Sequence, residues 1–108
     1  MSADSHEWLD ARRLVTLDEL AALSGLPETD LRDLVEFGAL APADQNPSQW
    51  TFRADCVVTV RRASRLRDDL ELDAGAFALA VRFLRRIEEL EGRVLQLQAR
   101  QMGSWPSQ

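Results

Sequence analysis

The chain has 108 residues, and its 13 basic residues, all arginine, face 18 acids for a formal net charge of −5. That length suits one domain with a modest core and leaves little for an enzyme cleft with lids; 45% hydrophobic and 29% charged residues exclude a disordered chain, and no apolar run reaches membrane-spanning length. A single cysteine, Cys56, excludes an internal disulfide, and the N-terminus MSADSHEWLDARR lacks the apolar stretch of a secretory signal, so a cytoplasmic protein is expected.

Residues 1–14 are polar and uncapped and read as a flexible arm, with Trp8 and Leu9 able to dock on the core. Residues 15–72 read as a winged helix-turn-helix domain. Thr16 followed by Glu19 is a capping box that starts a helix. Leu17, Leu20, Ala21 and Leu23 give that helix an apolar stripe, and Gly25 ends it. Pro27 suits the first turn of a second helix, which turns Leu31, Leu34 and Val35 inward and stops at Gly38. APADQNPS, residues 41–48, is a loop. QWTFR then alternates Trp50 and Phe52 against Gln49, Thr51 and Arg53, as a short strand or wing does; it needs a partner strand, expected within Leu40 to Ala43.

Asp55 reads as the N-cap of a third helix running to about Asp69, with Val57, Val60, Ala63, Leu66 and Leu70 on one side and Arg61, Arg62, Arg65 and Arg67 on the other. Asp73 caps a fourth helix, with Leu72 placed to staple onto Phe77. No stop follows before Gly103, which predicts a rod of roughly 29 residues, about 40 Å long, over residues 73–102, with 103–108 as a frayed tail. From Ala76 to Leu84 the apolar residues cover more than half the circumference, as in a segment packed on the head from several sides. From Ile87 the stripe narrows to Ile87, Leu90, Val94 and Leu97, a three-four alternation flanked by Arg86 and Arg93 on one side and Glu91 and Gln98 on the other. That seam predicts a homodimer held by a coiled-coil helix.

Chemistry is scarce. His6, the one histidine, lies in the arm, Cys56 reads as a packed thiol, and no phosphate-cradling loop is present; catalysis, cofactor and metal are all unexpected. The sign of the charge carries more. Between Val15 and Pro42 the acids Asp18, Glu19, Glu28, Asp30, Asp33 and Glu36 face Arg32 alone, a local balance that matches the whole chain's −5. A DNA-reading second helix needs cations toward the phosphates, so DNA binding is doubtful even with Arg53, Arg61, Arg62 and Arg65 nearby. Asp30, Asp33 and Glu36, joined by Asp18 and Glu19, are instead expected to form an acidic face for a basic protein partner. Trp50 and Phe52 read as core rather than as anchors of an interface.

The run VTLDELAALSGLPETDLRDLVEFGALAP, the wing QWTF and the stretch RRASRLRDDLELDAGAFALAVRFLRRIEELEGRVLQL resemble the chaperone-modulator protein CbpM family, a branch of the MerR-like helix-turn-helix class. The similarity spans about Val15 to Leu97. Its more specific parts are the W-x-F wing and the run Arg62, Arg65, Leu66, Arg67, Leu70, Leu72, Asp73; Gly25 and Gly38 are shared with MerR regulators generally. The resemblance implies a mainly α, MerR-like fold and a non-enzymatic regulator. Its implied partner is the J-domain of a DnaJ-like co-chaperone of the CbpA type, whose work with Hsp70 it inhibits; J-domains carry a basic helix that engages Hsp70. The acidic, aromatic-poor second helix departs from typical MerR regulators, and so does the lack of an effector-binding cysteine cluster.

Overall fold

The computed structural model describes residues 13–44, 46, 48 and 50–104; the expectations about Trp8, Leu9, His6, Gln49 and the last tail residues lie outside these. The described chain is mainly helical with a two-stranded antiparallel sheet: β1 (Leu14–Thr16), α1 (Leu17–Ser24), α2 (Glu28–Glu36), β2 (Thr51–Arg53), α3 (Asp55–Leu70) and α4 (Ala74–Ser104).

Short-range signals place the first two helices. Thr16 Oγ1 accepts from the Glu19 N–H at 3.1 Å and the Glu19 carboxylate accepts from the Thr16 N–H at 2.9 Å, so two orphan donors of α1 are satisfied at once. Gly25, at φ 79°, closes α1 through its N–H to the Ala21 carbonyl. Pro27 stands as the N-cap of α2, one residue ahead of its first turn, and Gly38 at φ 77° lets the Ala39 N–H return to the Leu34 carbonyl at 2.8 Å. Leu20, Leu31 and Leu34 are sealed in the core; Val35 is half-buried.

The wing strand pairs differently from the expectation. Its partner is β1, in the register Leu14↔Arg53, Val15↔Phe52, Thr16↔Thr51, and the Leu40–Ala43 segment contributes one bond, from the Ala43 N–H to the Thr51 carbonyl at 2.7 Å. The register puts Val15 and Phe52 on one face, both buried under the helices, while Trp50 meets Phe52 edge-on at 6.3 Å.

Asp55 is not a cap. Ala54 enters α3 already in helical conformation, so Asp55 falls inside the first turn, where its charge suits the helix dipole and pairs with Arg53 at 3.1 Å. Val57, Val60 and Ala63 are buried, but Leu66 and Leu70 are exposed, because the last turns of α3 outrun the core. The chain reverses at Glu71, a left-handed residue (φ 52°, ψ 50°), where the Glu71 and Leu72 N–H groups both return to the Arg67 carbonyl. Asp73 then caps α4 by accepting from the Ala76 N–H at 2.8 Å.

At 31 residues α4 is about 46 Å long and sets the 56 Å long axis of the molecule. It packs extensively on α3 alone, burying Phe77, Ala78, Val81 and Leu84. The 76–84 stretch is therefore covered from one side, not several: Leu79 and Phe83 remain 47% and 60% exposed. Polar ties fix the angle of the rod. The Thr59 hydroxyl donates to Glu88, Arg62 pairs with Glu88 at 2.8 Å, and Arg85 donates to the Ala39 carbonyl at 2.7 Å. A Cβ at Gly92 would meet nothing within 4 Å, so close helix approach within one chain does not require that glycine.

Candidate functional site

Thr29, Asp33 and Glu36 lie one turn apart along the exposed midline of α2, opposite the buried Leu31 and Leu34. Arg32, the one base on this helix, leans to the side. Its guanidinium sits 5.4 Å from the centre of the Trp50 ring and 3.9 Å from the Glu28 carboxylate, so it is stacked and paired at once. The midline is left to the acids.

The acids singled out from the sequence do not converge on one spot. Glu19 is committed to the capping box of α1. Asp30 is 3.1 Å from Arg67, which reaches over from α3 and also lies 4.6 Å from the Phe77 ring centre. Asp18 and Glu28 meet on the Trp50 side, lining an open groove of about 420 Å³ with Thr16, Arg32 and Thr51. Asp33 and Asp30 line a second groove of about 190 Å³ on the opposite flank, with Phe37, Leu72 and Phe77. Asp33 and Glu36 make no ion pair among the described residues.

The basic side of α3 is smaller than its sequence suggests. Arg67 is turned onto Asp30, Arg62 onto Glu88 and Arg53 onto Asp55. Arg61 and Arg65 are left exposed. Sequence reading missed a different cluster, Asp68, Asp69, Glu71 and Asp73, all exposed at the α3–α4 corner. The run RDDLELD displays these acids openly among arginines and leucines; Arg67 lies within salt-bridge distance of Asp68, at 3.9 Å.

The Glu28 carboxyl is pushed up from its ordinary value by the hydrogen bond it shares with Asp18, then by the negative charge of Asp18, with the Arg32 charge opposing. A carboxyl whose folded pKa exceeds its unfolded value contributes stability at low pH that is lost as pH rises through the folded pKa. Glu28→Gln is therefore expected to raise the melting temperature relative to wild type at neutral pH and low salt, with the gap closing as pH falls below the carboxylate range. Melting curves across that range check this; a gap that stays constant with pH would remove the repulsion between Asp18 and Glu28 as its source.

Cys56 is buried at the start of α3, and burial, followed by the Asp55 charge, pushes its thiol up, away from the reactive thiolate. Among the described residues no acid, His or Cys group is arranged to hold a metal ion, and no helix is long and apolar enough to cross a membrane. The seam residues Ile87, Leu90, Val94 and Leu97 are 43–58% exposed in the single chain, and Phe83 extends their three-four spacing toward the head. At 100° per residue they fall on the side of α4 away from Val81, Leu84 and Glu88, which face α3.

Comparison with known proteins adds relatives to this geometry. The MerR HTH family of regulatory proteins matches residues 15–99. The chaperone modulatory protein CbpM of Citrobacter koseri is 30% identical over 82 residues, covering 74% of this chain and 81% of that protein. The CbpM of Escherichia coli O1:K1 is 31% identical over 83 residues, covering 75% and 82%. That of Pseudomonas entomophila is 32% identical over 68 residues, covering 63% and 67%.

Proposed function

The chain belongs to the CbpM family of chaperone modulatory proteins, within the MerR-type helix-turn-helix regulators, and we propose that it modulates by holding the J-domain of a DnaJ-like, CbpA-type co-chaperone on the acidic side of α2. It is a regulator rather than an enzyme, and it works as a homodimer joined along α4. The observation that carries this reading is the exposed line of Asp33 and Glu36 where a DNA reader would place cations, with Arg32 drawn aside onto Trp50 and Glu28.

The physics is complementarity of charge. A J-domain engages Hsp70 through a basic helix; exposed carboxylates attract that helix, fix its orientation and repel polyanions. While the basic helix lies on α2 it is withheld from Hsp70, which is how binding becomes inhibition. Asp18 and Glu19 extend the negative field at the edge of this face without standing at its centre.

Reversing the midline tests the site. Asp33→Arg with Glu36→Arg is expected to weaken binding to the isolated J-domain on the order of tenfold or more at low salt. The pair is chosen because neither residue holds another part of the fold, whereas Asp30 anchors Arg67. Titration at several salt concentrations, with duplex DNA in parallel, gives the readout. Unchanged affinity for the J-domain would sink the proposed site. Tight DNA binding without J-domain binding would establish the alternative, a MerR-like transcriptional regulator using Arg61 and Arg65.

A further inference from the structure

Exposed ion pairs alone make a weak interface. Each contributes little and fades with salt, and durable affinity comes from an apolar anchor in a pocket closed to water. A place for such an anchor lies where α2 meets the α3–α4 corner. The groove of about 190 Å³ there has the buried Leu34 and Phe77 as its floor, with Arg67 stacked on the Phe77 ring and turned to Asp30, the half-buried Leu72 beside them, and the exposed Phe37 and Ala74 at its mouth. Phe37 is 51% exposed, a large ring left in water at the end of α2.

The α2 bank of this slot is acidic, and two exposed acids stand beside the opposite one. On the α2 bank Asp30 is neutralised by Arg67, which leaves Asp33 uncompensated. On the other bank the exposed Glu71 and Asp73 are the chain neighbours of the lining residues Leu72 and Ala74. An apolar floor between two negative rims fits a helix that shows one apolar side chain with cations a turn to either side.

We propose that this slot receives one apolar side chain from the partner's basic helix, while lysines or arginines flanking it meet Asp33 on one bank and Glu71 or Asp73 on the other. The inference rests on the reading of the partner as a J-domain with a basic helix, and it adds the anchor that charge alone lacks. It also moves the centre of the contact from the midline of α2 to its junction with α4.

Titration of the isotope-labelled full chain with the isolated J-domain of a DnaJ-like protein from the same organism, followed by amide NMR, tests this. The expected result is that the largest shifts include Phe37, Leu72 and Ala74. In parallel, Ala74→Trp, which fills the slot from an exposed position outside the core, is expected to bind on the order of tenfold more weakly even at high salt, where the rim charges are screened. If the wild type binds, those three amides stay still and Ala74→Trp binds as tightly, the slot is wrong and the J-domain reading stands. If the wild type does not bind, both fall. Should Ala74→Trp misfold, the wild-type shift map decides.

Discussion

Phe52→Ala is expected to lower the unfolding free energy by about 3–5 kcal/mol. The ring is fully buried, stands opposite Val15 in the β1–β2 ladder and meets Trp50 edge-on at 6.3 Å. Removing it opens a cavity between the ladder and the helices and also weakens a ladder only three residue pairs long. A strand pair that short has no stability of its own; packing of one face on the helices holds it. Urea unfolding followed by circular dichroism, at one fixed protein concentration, measures the loss. Leu70→Ala serves as the control: Leu70 is 64% exposed, and its change should stay within about 0.5 kcal/mol. A loss below about 1 kcal/mol for Phe52→Ala would mean that the ring does not organise the head.

Ile87→Asp combined with Leu90→Asp is expected to leave the protein wholly monomeric at micromolar concentration, where the proposed α4 seam would pair the wild type. Phe83, Ile87, Leu90, Val94 and Leu97 form an unbroken apolar stripe, each 43–60% exposed in the single chain. A second copy would cover that stripe along the three-four spacing, and carboxylates at its middle would have to be buried without partners, at several kcal/mol each. Neither residue belongs to the core of the head, so the monomer should keep its helical signal, and the proposed J-domain contact should weaken far less than self-association. Sedimentation equilibrium separates the outcomes. A monomeric wild type, or a double variant that still dimerises, would overturn the seam as the dimer contact.

Much of the fold was legible because its signals are local. Thr16 and Glu19, Gly25, Gly38 and Asp73 each act within a few residues of themselves, and each acts in the structure as its chemistry predicts. The strand β1 was not legible. Leu14 to Thr16 is too short for alternation to show, and its partner follows two intervening helices. Asp55 misled because the residue type that favours a cap says nothing about Ala54 arriving already helical. Leu79 and Phe83 misled because apolar side chains look alike in sequence whether they face their own domain or a surface left bare.

The candidate site shows the same division. The sign of charge on α2 is a property of composition and could be read directly. Which charges are free could not, since Asp30 meets Arg67 across 37 positions and Thr59 meets Glu88 across 29. Those pairings split an apparently single acidic face into two flanks and took Arg62 and Arg67 out of the basic one.

Glu71 sits where backbone strain and surface charge meet. It is a non-glycine residue with left-handed backbone, among the described residues, and that conformation costs an L-residue about 1–2 kcal/mol. Glycine would turn the same corner without the steric cost, as it does after α1 and α2, but it would remove an exposed carboxylate from the α3–α4 corner. Position 71 therefore sets the comfort of the backbone against the charge of the surface: glycine would relieve the turn, and glutamate keeps a carboxylate there.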